Sequence, residues 1–133
     1  MEEIEEYEVS LKRLGTAGYI DTSVWQRDNG QTIAYRAEVE GMEFSGEDED
    51  NFTAFKKLRD DLLKGGYGMC CAGAMTNAVQ SGMLAGSDRV YLVMKGRKPA
   101  LTDAVWIFME TAMTEFPDSM AQDRFAEEWF GSI

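Results

Sequence analysis

Covalent chemistry in this chain would fall first to two adjacent cysteines, Cys70 and Cys71, acting as thiolates on a carbonyl or a disulfide. That role needs a base or a neighbouring cation to generate the thiolate. The sequence contains no histidine, so Cys-His and Ser-His-Asp mechanisms are excluded outright, and Arg89 is the activating cation left to name. Ser81-Gly82-Met83 offers a hydroxyl with no base to go with it. Neighbouring residues on a strand point to opposite faces and rarely bridge, so Cys70 and Cys71 are expected as reduced thiols in the core.

Carboxylates are the other candidates, because the pairs Asp60-Asp61 and Glu127-Glu128 could divide acid and base roles if burial separated their pKa values. In the sequence they read as solvated faces. Asp48, Asp50 and Asn51 partly match a calcium loop, but its spacing and distal bidentate glutamate are absent. Without His or CxxC, and with no GxGxxG or GK[ST] among the glycines, the expectation is no metal, no cofactor and no enzymatic activity.

What remains distinctive is charge. The chain carries a formal net charge of −11 over 133 residues, and Glu38, Glu40, Glu43, Glu47, Asp48, Glu49 and Asp50 cluster where no Lys or Arg intervenes. Such a segment repels nucleic-acid phosphates and speeds association with a cationic protein. These seven acids, with Met42 and Phe44 as apolar anchors, form the expected partner-binding set, although the core has an equal claim on the two anchors. The competing reading of the acids is a solvated loop.

An apolar content of 44% supports one packed domain over 1–133 rather than disorder. Tyr7, Val9 and Leu11 alternate with polar neighbours, giving a strand near 5–13. Runs 19–27 and 31–40 flank Asp28-Asn29-Gly30, which predicts a hairpin with a two-residue type I′ turn. Ile33, Tyr35, Ala37 and Val39 should face the core, and Met42–Ser45 should extend the meander. Phe52, Phe55, Leu58 and Leu62 recur at helical spacing, placing a helix at 51–64 capped by Asp50 or Asn51, with Gly65 at its end.

Beyond it, strands are expected at Tyr67–Ala72 and Arg89–Lys95. Residues 104–109 fit a buried strand or a short helix capped by Thr102-Asp103, and both remain open. A last helix over 118–130, capped by Asp118 or Ser119, presents Ala121, Phe125 and Trp129. The fold class is therefore α+β: an antiparallel sheet, a meander with a hairpin, with a packed amphipathic helix and a C-terminal helix. The apolar runs are too short to cross a bilayer, and Met1-Glu2-Glu3-Ile4-Glu5-Glu6 has no signal-peptide character, so a cytoplasmic protein without membrane attachment is expected.

The acidic strand and loop, the Phe52-Thr53-Ala54-Phe55 helix start, Cys71-Ala72-Gly73-Ala74 with Asn77 and Ser81-Gly82-Met83, Val90-Tyr91-Leu92 and Arg124-Phe125-Ala126-Glu127-Glu128-Trp129 occur in an order that resembles small acidic bacterial proteins of the immunity type, over about residues 35–130. The resemblance implies a cytoplasmic protein that neutralises a cognate toxin domain by occluding its active site, with no catalytic residues of its own. Two alternatives stand beside it: a phage-type acidic inhibitor that mimics nucleic acid, and a small His-free enzyme.

Overall fold

The computed structural model describes residues 2–133. Its main sheet has five strands, β1 (Glu3–Arg13), β2 (Tyr19–Asp28), β3 (Ile33–Val39), β4 (Met42–Asp48) and β5 (Tyr67–Met69), in the order β4-β3-β2-β1-β5. Every neighbouring pair is antiparallel. Cross-strand partners share a face, so Tyr7, Val9, Leu11, Val24, Tyr35, Ala37, Val39 and Phe44 all turn to one side and build the core. The α+β class expected from the sequence is what is found.

Both hairpins beside β3 are present, but the turn chemistry is exchanged between them. Asp28 pairs with Ile33, leaving a four-residue loop in which Asn29 Oδ1 accepts the Gln31 and Thr32 N–H groups and Asp28 Oδ1 accepts that of Gly30. With its side chain closing the loop, Asn29 keeps a negative φ, so the expected type I′ turn does not form there. The two-residue turn with positive φ at both positions is Glu40-Gly41, at φ 51° and 83°, between paired Val39 and Met42.

Helix α1 (Asn51–Lys64) starts at Asp50, whose carboxylate accepts the Thr53 N–H. Its Phe52, Phe55, Leu58 and Leu62 stripe is buried on the core side of the sheet, where each such side chain contributes roughly 1.5–3 kcal/mol by leaving water. The helix comes so close to β4 that a Cβ on Gly46 would lie 2.3 Å from the Leu58 nitrogen and 2.4 Å from the Ala54 carbonyl oxygen. At the other end Gly66, at φ 93°, takes the left-handed position that the sequence suggested for Gly65. Gly65 instead makes room for the Phe44 ring, which a Cβ would meet at 2.5 Å.

The chain then leaves the main sheet. The strand expected at Arg89–Lys95 is present as β7 (Arg89–Leu92), which lies between β6 (Ala78–Val79) and β8 (Ala104–Trp106) in a separate three-stranded sheet. Residues 104–106 are thus strand, and Ile107 and Phe108 turn inward to the main core. Helix α2 (Ser119–Ser132), capped by Asp118, packs Trp129 with Val79, Leu84, Tyr91 and Val93 in a second core. Its inward face is Gln122, Phe125, Ala126 and Trp129, so a buried glutamine joins the expected aromatic stripe while Ala121 is half-buried. None of the helices among the described residues is long and apolar enough to cross a membrane.

Two outcomes follow. Gly46→Ala should destabilise the fold by about 3 kcal/mol, because the obstructing atoms belong to helix backbone that cannot rotate away; a denaturation midpoint equal to wild type would refute this. Cys70 and Cys71 are both buried and free, and burial pushes the Cys71 thiol up to about 12. Thiol reagents at neutral pH should therefore label the native protein slowly and the unfolded protein fast, and rapid native labelling of either cysteine would contradict the placement.

Candidate binding face

Because one side of the main sheet is filled by core, the alternate residues must face the other way. That outer face carries Glu6, Glu8, Ser10 and Lys12 from β1, Tyr19, Asp21, Ser23 and Trp25 from β2, Arg36 and Glu38 from β3, and Glu43, Ser45 and Glu47 from β4. None of these side chains is buried. Glu8, Asp21, Ser23, Trp25, Glu38 and Glu40 line a shallow depression of about 500 Å³. Four carboxylates and an indole on one open surface, without a helix over it, can hold a cationic group by charge and stacking.

The expected acidic segment divides between this face and the start of α1. Glu38, Glu43 and Glu47 lie on the outer face, and Glu38 stands directly opposite Glu43, a like-charge pair that Arg36 relieves at 3.6 Å from Glu43. Asp48 pairs with Lys57 at 3.1 Å and accepts the Asp50 N–H, and these two contacts, the backbone one first, lower its pKa. Asp50 is the α1 cap, so both residues hold the helix rather than face a partner. Glu49 is exposed on the loop between them.

The proposed anchors fare differently. Phe44 is 7% exposed and stacks edge-on against Tyr67, so the core claims it and it is no surface contact. Met42 is 46% exposed, but it belongs to the core side of the edge strand, opposite Val39, and not to the acidic face. Two aromatic residues do stand on that face, Tyr19 with Lys12 over its ring, and Trp25, which sequence reading passed over. Its alternation with Val24 was the available signal.

Glu40 occupies the rim at the strained turn. A non-glycine residue at φ 51° is disfavoured, and its carboxylate is tied by Tyr67 Oη at 2.6 Å and Arg13 Nη1 at 2.7 Å. These bonds, the tyrosine's first, hold its pKa below the ordinary carboxylate range, and the same contact raises that of Tyr67. They also link the β3–β4 turn to β1 and to β5 on the opposite edge.

Elsewhere, the pairs considered for acid-base work have separate structural duties. Asp60 accepts from Arg59 and from the Ser119 N–H, Asp61 accepts the Ser45 N–H, and Glu128 pairs with Lys95 at 2.6 Å. Arg89 donates to the Ala104 carbonyl rather than to a thiol. Asn51 accepts the buried Tyr35 hydroxyl, which removes it from any cation loop. Among the described residues, no three Cys, Asp or Glu side chains converge to hold a metal ion. No protein-family model matches the chain, and no curated protein is similar enough to it to show a relationship.

Glu40 gives a pH prediction. Its folded pKa lies below its ordinary value of 4.5, so its stabilisation is fully present above that value and is lost as pH falls through the folded pKa. Glu40→Gln should melt below wild type at pH 7, and the gap should close as the pH is lowered well beneath 4.5. A gap in melting temperature that stays constant over this range would show that the carboxylate charge is irrelevant.

Proposed function

We propose that this protein acts by binding: it is an immunity-type inhibitor that docks its acidic sheet face on the basic active-site cleft of a cognate toxin domain in the cytoplasm. The observation that carries the reading is the uncovered outer face, where Glu8, Asp21, Glu38 and Glu40 border one depression beside Trp25. A steric inhibitor needs a rigid, charge-complementary surface and no catalytic group, and the side chains most able to do chemistry are taken up by packing and capping. The order of motifs that resembles immunity proteins supports the same conclusion.

Electrostatic docking of this kind acts mainly on the encounter rate, and it weakens with salt. The triple variant Glu8→Lys, Asp21→Lys, Glu38→Lys changes exposed positions only, and it leaves Asp48 and Asp50 to hold α1. With the toxin domain encoded beside the inhibitor's gene as ligand, its association rate at low salt should fall at least about tenfold below wild type, and most of that difference should vanish at high salt. An unchanged low-salt rate for the folded variant would mean that the outer face is not the docking surface.

A further inference from the structure

The outer face already holds one cation in place. The Arg36 guanidinium lies 5.0 Å from the centre of the Trp25 ring, and its Nη1 is 3.6 Å from Glu43 Oε1. Trp25 sits across from Glu6 on one side and Arg36 on the other, and it borders the depression lined by Glu8, Asp21 and Glu38. Other cations of this side are engaged away from the indole: Arg27 pairs with Glu2 at 2.9 Å, and Lys12 lies over Tyr19. Arg36 is exposed and its ion pair is long, so releasing it from the ring leaves no group stranded in the interior.

We infer that the Trp25 ring, with Glu6 directly across from it and Glu38 in the depression it borders, is a slot for an arginine side chain of the cationic partner, with Arg36 as its resident occupant. The chemistry selects arginine over lysine, because a planar guanidinium stacks on an indole and also meets a carboxylate through paired N–H groups. An ammonium is a point charge that keeps its water. An incoming arginine takes over the ring face while Arg36 moves into solvent, and the surrounding carboxylates supply the attraction. The inference rests on the acidic face being the docking surface, and it adds the residue that anchors it and the side chain it recognises.

Tetra-arginine and tetra-lysine peptides serve as probes, titrated calorimetrically into the full chain at low salt. Wild type should bind tetra-arginine about threefold more tightly than tetra-lysine, the discrimination available to one exposed cation–π contact. Trp25→Leu should lose that preference, Trp25→Phe should retain part of it, and Arg36→Ala should bind tetra-arginine more tightly than wild type. Equal affinities for the two peptides, or a preference that persists in folded Trp25→Leu, would overturn the slot. Because Trp25→Leu keeps every carboxylate, such a result combined with a slowed Glu8, Asp21, Glu38 charge-reversal variant would refute the slot while leaving the docking face intact.

Discussion

The close approach of α1 to β4 is the constraint on which the rest depends. With Gly46 lacking a Cβ, the helix backbone can rest directly on the strand, and Phe55, Leu58 and Leu62 then join the core on the sheet's inner side. The sheet curls around the helix until its two edge strands meet, Phe44 of β4 against Tyr67 of β5 with ring centres 5.9 Å apart. Most of the main sheet's apolar side chains lie on that side. The opposite side is mainly polar, with Ile4, Tyr19 and Trp25 as its large apolar residues.

A buried polar strap joins the two halves. Arg59, 1% exposed on α1, donates to Asp60, to the Ser119 hydroxyl and to the Gln122 side-chain oxygen on α2. Gln122 in turn donates to the Gly73 and Met75 carbonyls. A guanidinium so placed is costly unless its partners stay in position, and its Nη1 already has no partner. The second core around Trp129 is therefore held in a defined orientation to the first, and the outer face has a rigid frame behind it.

The free edge of β4 is guarded by the helix as well. Asp61 accepts the Ser45 N–H and Lys57 donates to the Glu47 carbonyl, so the edge offers fewer open ladder positions to an added strand. This directs recognition to the face and its side chains rather than to backbone pairing.

Much of this was legible in the residues. Alternation placed Tyr35, Ala37 and Val39 inward, the 3.6-residue stripe located α1, and the missing histidine closed off whole classes of mechanism, because each depends only on local spacing or on composition. Other features needed the folded chain. Which glycine takes the left-handed position, and that Asn29 would close its loop through its side chain while Glu40 bore the positive φ, depended on competing hydrogen bonds and on Arg13 and Tyr67 arriving from distant strands. The acidic run Glu38–Asp50 is continuous in sequence, yet a strand's twofold period and a helix cap divide it, sending Glu38, Glu43 and Glu47 outward and committing Asp48 and Asp50 to α1. The partners of the outward acids, Glu8, Asp21 and Trp25, come from two earlier strands. Sequence determined that the surface would be acidic; only strand pairing decided which acids share a face, since register between strands is set by the core they jointly bury.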